Sequence, residues 1–280
     1  RKENKWSEFL NEKTINVDLL KKNDLEKLPN DVDSIIHFAA NARVYELVKK
    51  PELALENIVT TFNVLEFARE KKIGKVVFAS SRETYGNLTD EDSITENKVR
   101  IWNCESPYSA SKIGAEALIH AYGKSYGIDS VIIRFSNVYG MYDDSDRVVP
   151  QWIKQASRNE DLIVFGENKV LDFVYIDDAI NGVIKIIDRF DDVKGETFNI
   201  AYGEAVKLTC VAEKIRDLLA SKSRIMTKEN RLGEIQKFRA DISKAERSLG
   251  YKPEIGIDEG LVRTVQWYEK SLSRGKGRHL

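Results

Sequence analysis

Apolar runs rich in β-branched residues recur along this 280-residue chain and alternate with longer stretches of helical period, and that alternation leaves few folds open. The runs are Ile15 to Val17, Ser34 to Phe38, Lys75 to Ala79, Ser130 to Phe135, Leu162 to Phe165 and Phe173 to Ile176. Between them, Pro51 to Lys71, Pro107 to Tyr126, Val149 to Arg158 and Asp177 to Arg189 have helical character. Short buried strands joined through helices need crossover connections. The pattern therefore predicts an α/β fold, a doubly wound parallel sheet covered on both faces.

After about Gly195 the pattern changes to a strand (Thr197 to Ala201), a helix (Lys207 to Ala220), a charged stretch and a final helix from about Asp258. This reads as a smaller C-terminal α/β lobe. Residues 1–145 are expected to form the larger domain and 146–280 mainly the smaller lobe, with segments exchanged between the two. The basic, glycine-containing tail Ser273 to Leu280 is expected to fray.

Composition narrows the function classes. Apolar residues make up 42% of the chain, enough for a proper core. Lys and Arg number 44 against 45 Asp and Glu, so no net positive field is available to hold a nucleic-acid backbone. No apolar run approaches the roughly 18 residues of a membrane helix, and the start RKENKW has no signal-peptide pattern. Cys104 and Cys210 match neither a metal-ligand spacing nor a disulfide framework, and His37, His120 and His279 show no metal-binding spacing. A cytoplasmic protein without a metal, a membrane anchor or a nucleic-acid partner is expected.

The sharpest local signal is Tyr108-Ser-Ala-Ser-Lys112, just after Pro107 in a helical segment. Residues four apart share a helix face, so the Lys112 ammonium is expected near the Tyr108 phenol, drawing its pKa down from about 10 towards neutrality. A phenolate so placed accepts the proton of a substrate hydroxyl while hydride leaves the same carbon for a nicotinamide. The same spacing also occurs on many solvated helix faces, so context decides. Upstream, the strand Lys75 to Ala79 delivers Ser80-Ser81-Arg82-Glu83-Thr84-Tyr85-Gly86 at its carboxyl end, where open α/β sheets bind ligands. Ser81 is placed to hydrogen-bond the reacting hydroxyl, although a serine pair there is otherwise an ordinary turn or cap. Downstream, Arg134-Phe-Ser-Asn137-Val-Tyr-Gly140 ends the next strand in the same way.

These motifs, in this order, resemble the extended short-chain dehydrogenase/reductases, and specifically the NAD-dependent epimerase/dehydratase family of nucleotide sugars. Supporting pieces are His37-Phe-Ala-Ala40, Asn57, Leu171-Asp-Phe-Val-Tyr-Ile-Asp-Asp178, and Arg231-Leu-Gly-Glu234 before Ala240-Asp-Ile-Ser-Lys-Ala245, so the resemblance covers nearly the whole chain. It implies a Rossmann-like fold, NAD as cofactor and a nucleotide-diphosphate sugar as substrate. By this likeness Ser81, Tyr108 and Lys112 form the catalytic group. Asp18 and Leu19 lie near the adenine, and Phe38, Ala39, Ala40, Ala42, Asn57, Ser80, Phe135 and Ser136 line the cofactor with Tyr108 and Lys112. Glu83, Asn137 and Arg231 meet the substrate together with Ser81 and Tyr108. Read without that context, Asp18 is a loop carboxylate, Asn57 a polar helix residue, Arg231 a surface cation, and Glu83 a salt bridge or solvated turn. The resemblance also implies a homodimer through a four-helix bundle built from Val59 to Lys71 and Tyr108 to Tyr126.

Three departures qualify the likeness. The family's Gly-rich strand-turn-helix, which wraps the NAD pyrophosphate, is absent from these 280 residues. Arg1-Lys-Glu-Asn4 resembles the loop after the second strand, so roughly 30 or more residues are expected to be missing ahead of it. Leu171 stands where many relatives carry an arginine that pairs with the substrate diphosphate, a role leucine cannot imitate. Dehydratase relatives place Thr-Asp-Glu, and decarboxylase relatives Thr-Ser-Glu, where this chain has Ser81-Arg82-Glu83. The acid that protonates a leaving hydroxyl is thus missing, which favours 4-epimerisation of a UDP-hexose through a transient 4-keto sugar. The alternatives are a dehydratase or decarboxylase that uses Glu83, and a non-catalytic binding protein of the same fold.

Overall fold

A computed structural model describes residues 13–143 and 145–274. Four strands form a fully parallel sheet in the order β1 (Ile35–His37), β2 (Lys75–Ser81), β3 (Asp129–Phe135) and, numbered ahead by chain position, β7 (Thr197–Ile200). Two long helices, α2 (Glu52–Glu70) and α3 (Pro107–Tyr126), follow β1 and β2 and cover one face. Alternation along each strand divides the core. Val76, Phe78 and Ile132 pack with Leu65, Ala68, Ala115 and Ile119 of these helices. Val77, Val131 and Ile133 point the other way, against Ile186 of α5 (Ile176–Asp188), Phe190 of α6 (Phe190–Val193) and Ala245 and Leu249 of α8 (Ser243–Leu249). Strands buried on both faces explain their unbroken apolar runs.

The smaller lobe gathers β4 (Asn137–Tyr139), β6 (Val170–Tyr175), β8 (Ala205–Lys207) and β10 (Lys237–Phe238) into one sheet, and β5 (Leu162–Phe165) with β9 (Ile225–Lys228) into a second. Trp152 of α4 (Val148–Ala156), Ile215 of α7 (Leu208–Leu218) and Leu261 of α9 (Ile257–Arg274) fill its core. Strand β7 and helices α5 and α8, all from beyond residue 146, complete the first sheet and its second face.

Two local devices fix α3. The Ser106 hydroxyl accepts the Ser109 N–H at its start, with Pro107 in the first turn, and Gly127 ends it in the left-handed region at φ 70°. A short helix, α1 (Val44–Lys49), was not expected from the sequence.

Some expectations are corrected here. Ile15 to Val17 is not a strand: no strand among the described residues pairs with it, and Ile15 is exposed. The strand expected at Phe173 to Ile176 runs from Val170 to Tyr175, and Ile176 already starts α5. Ser273 and Arg274 still belong to α9, while residues 275–280 and Arg1 to Asn4 lie outside the described residues.

Candidate active site

The carboxyl ends of β1, β2 and β3 open onto a cavity of about 830 Å³ that the smaller lobe closes from the far side. Register alone brings the motifs together: Ser80 lies beside Arg134 and Ser81 beside Phe135. The turn after Ser81 is tight, because Gly86 sits at φ 71° and a Cβ there would collide with the Asn103 carbonyl.

Ser81, Tyr108 and Lys112 all line this cavity. The Ser81 side chain stands against Tyr108 and favours its ionisation, and the Ser81 hydroxyl accepts the Glu83 N–H at 3.2 Å. Lys112 lies one helical turn on from Tyr108, its Nζ 6.0 Å from the phenol ring centroid and 4.8 Å from that of Phe78. The ammonium donates to the Ala79 carbonyl at 2.7 Å. Burial therefore dominates the phenol: Tyr108 is pushed up to about 12, with the Ser81 side chain opposing. Lys112 is brought down to about 8, again by burial, with Glu116 opposing. This corrects the expectation of a phenol drawn towards neutrality by Lys112. The spacing placed the two side chains on one face, but the ammonium is turned to β2.

Behind these residues lies a buried polar network. Glu116, one more turn along α3, pairs with Arg134 through two bonds of 3.0 and 2.6 Å and accepts the Ser80 hydroxyl. Arg134 also donates to the Tyr85 hydroxyl at 3.2 Å and the Glu96 carbonyl at 2.7 Å. His37, buried and 3.2 Å from the Thr61 hydroxyl, is lowered to about 4 by burial and the nearby Lys112 charge, so it is neutral at physiological pH.

Phe38, Ala40, Ala42, Ser80, Phe135 and Ser136 lie in the cavity wall. Phe38 is half exposed there and meets Phe135 edge-on at 5.8 Å, leaving an uncovered apolar ring inside a concave site. That surface, the small side chains of Ala40 and Ala42 and the buried ammonium of Lys112 fit the ribose and nicotinamide end of NAD. The Gly-rich pyrophosphate turn has no counterpart among the described residues.

Other assignments fall differently. Asn57 stands behind the wall and clamps the loop that lines it: its amide accepts the Asn41 N–H at 2.7 Å and donates to the Asn41 carbonyl and the Ser111 hydroxyl. Ala39 is not in the wall, and neither are Asp18 and Leu19. Asp18 instead folds onto its own turn, accepting the Leu20 N–H at 3.1 Å, while the Leu19 carbonyl accepts from Asn63.

On the substrate side, Glu83, Asn137 and Arg231 line the cavity. The Arg231 guanidinium stacks on Phe165 at 3.9 Å and lies 3.7 Å from Glu234. The Asn137 amide accepts from Arg82 at 3.1 Å and donates to the Asp172 carbonyl at 2.8 Å. Glu83 is buried, not solvated, and pairs with Arg82 at 3.0 Å. Burial raises its pKa, against the pull of Arg82. Three residues escaped the sequence reading. Arg82 looks like a surface cation in a turn. Lys169 lies two residues before Leu171, lines the same cavity and pairs with Glu234 at 2.7 Å; only its period-two spacing from Leu171 could have pointed to its place in the wall. Asp172 anchors the site by accepting the backbone N–H groups of Tyr202, Gly203 and Ala240.

Among the described residues no group of three potential metal ligands occurs, and no helix is long and apolar enough to cross a membrane.

Known proteins are similar to this chain in sequence and in fold. The chain is 33% identical over 263 residues to a putative UDP-glucose 4-epimerase of Methanocaldococcus jannaschii, covering 92% of this chain and 84% of that protein. The structure of Bacillus cereus UDP-glucuronic acid 4-epimerase, in complex with UDP-glucuronic acid and NAD, superposes with a TM-score of 0.84 at 28% identity, over 91% of this chain and 80% of that one. Streptomyces venezuelae dTDP-glucose 4,6-dehydratase, solved with NAD bound, gives 0.85 at 28% identity, over 93% and 80%. A family model matches residues 1–201. The chain belongs to the NAD dependent epimerase/dehydratase family.

Proposed function

We propose that this chain catalyses the 4-epimerisation of a nucleotide-diphosphate sugar, a UDP-hexose, through a transient 4-keto intermediate. The observation that carries this reading is the meeting of Ser81, Tyr108 and Lys112 at one end of the cavity. NAD, held by the wall of Phe38, Ala40, Ala42 and Lys112, would supply a positive charge that favours the phenolate and an acceptor for the C4 hydride. The Tyr108 phenolate accepts the C4 hydroxyl proton and later gives it back. Ser81, which stands against Tyr108, orients that hydroxyl, and Lys112, held on the Ala79 carbonyl one helical turn on, is the cation that would turn to the phenolate once it forms. Arg231 and Lys169 supply positive charge for the diphosphate, with Glu234 holding both.

Arg82 supports epimerisation over elimination. It occupies the place where dehydratase chemistry needs an acid, and a guanidinium does not surrender a proton to a leaving hydroxyl. The exposed apolar side chains Leu55 and Phe62 of α2, which packs along α3, support a homodimer through these helices. Incubation of the NAD-loaded protein with UDP-glucose is expected to yield UDP-galactose. A 4-keto-6-deoxy sugar as product, or a pentose from UDP-glucuronate, would overturn the reading.

A further inference from the structure

Three successive turns of α3 are each tied to the end of β2. Tyr108 stands against the Ser81 side chain, Lys112 donates to the Ala79 carbonyl at 2.7 Å, and Glu116 accepts the Ser80 hydroxyl. Residues four apart share a helix face, so one face of α3 meets three consecutive residues of the strand. Tyr108 and Lys112 belong to the cavity wall, whereas Glu116 lies behind it. Its carboxylate is fixed from the far side as well. Arg134 Nε donates to Oε1 at 3.0 Å and Nη2 to Oε2 at 2.6 Å, and Arg134 is itself held by the Tyr85 hydroxyl and the Glu96 carbonyl. A buried ion pair adds little net stability over well-packed apolar side chains, so this one, placed directly behind a catalytic ammonium, calls for another role.

We propose that Glu116 is a positioning residue for the C4 oxidation: locked by Ser80 and Arg134, it sets the catalytic helix against the end of β2 and provides the counter-charge that keeps the Lys112 amine an ammonium. The inference rests on the C4-oxidation reading above. Standing behind the wall, Glu116 acts through Lys112 rather than on the reactants. Lys112 also faces Tyr108 on its own helix, His37 of β1, and the Phe78 ring and Ala79 carbonyl of β2, while Arg134 of β3 turns its guanidinium to Glu116. His37 is neutral at physiological pH, so the Glu116 carboxylate is the negative charge that opposes the effect of burial on Lys112. Loss of the Ser80 tie frees α3 to shift along β2, which misplaces the phenol and the ammonium together and lowers turnover while the substrate still binds.

The test has a ligand-free half and a kinetic half. In protein carrying isotope-labelled lysine, the Lys112 resonance, assigned by its loss in Lys112→Met, is expected to titrate near pH 8 in the wild type and at lower pH in Glu116→Gln. Should that single change unfold the chain, Glu116→Gln with Arg134→Met, which removes both charges of the pair, is expected to lower the titration in the same direction. With NAD-loaded protein and UDP-glucose, Ser80→Ala is expected to lower kcat by about tenfold or more at unchanged KM, and Ser80→Thr, which keeps the hydroxyl, to stay within about threefold of the wild type. A Lys112 titration that Glu116→Gln leaves in place, or full kcat in Ser80→Ala, overturns the proposal. If the wild type does not epimerise UDP-glucose, the C4-oxidation reading falls, while the Lys112 titration still decides the role of Glu116.

Discussion

The Lys112 ammonium is hydrogen-bonded to the Ala79 carbonyl at 2.7 Å and stands 6.0 Å from the centroid of the Tyr108 ring. The catalytic helix is thereby tied to the end of β2, and the phenol is left to its buried surroundings. Tyr108, pushed up to about 12, keeps its proton at neutral pH until a ligand adds positive charge. Ultraviolet difference titration of the NAD-free protein against Tyr108→Phe is expected to show no phenol ionising below about pH 10. A phenol near pH 7 that disappears in the variant would contradict this.

Lys112 carries a testable stability penalty. Its pKa falls from 10.5 to about 8 on folding, so the unfolded chain binds more protons across that window and stability rises as pH rises through it. Below about pH 8 the loss is complete and amounts to roughly 3 kcal/mol before the Ala79 hydrogen bond is counted. Lys112→Met is expected to abolish turnover, to unfold at higher urea concentration than the wild type at pH 7, and to lose the rise in stability between pH 8 and 10. Lower stability of the variant at pH 7 would show that the hydrogen bond outweighs the buried charge.

Glu116 and Arg134 are expected to behave as a unit. Both are buried, and removing one partner strands the other charge in a low-dielectric interior. Glu116→Gln is therefore expected to cost about 3–5 kcal/mol in denaturant unfolding, and Glu116→Gln with Arg134→Met markedly less than the sum of the two single changes. Additive losses would mean that the pair is not coupled.

Much of this was legible in the sequence because the physics is local. Strands β2 and β3 are buried on both faces and read as unbroken apolar runs, and α3 is bracketed by Ser106-Pro107 and Gly127. The ligand end of the sheet followed from the chain order of Ser81, Tyr108 and Asn137. What escaped depends on pairing at long range. Strands β8 and β10 are three and two residues long and exist only because β6 lies between them. Ile15 to Val17 has the composition of a strand but no pairing partner among the described residues. Glu83 read as a salt bridge or a solvated turn, and its burial beside Arg82, which donates to Asn137 55 residues on, is seen only in the fold. The hold of the Asn57 amide on the backbone of Asn41, 16 residues earlier, was not legible either.

The most direct measurement follows the fate of the C4 hydrogen. UDP-glucose deuterated at C4, incubated with the NAD-loaded protein, is expected to give UDP-galactose that retains deuterium at C4, and Tyr108→Phe is expected to slow this by about 10³-fold or more. Loss of the label to solvent, a deoxygenated product, or full activity in Tyr108→Phe would contradict C4 oxidation and return of hydride at this site.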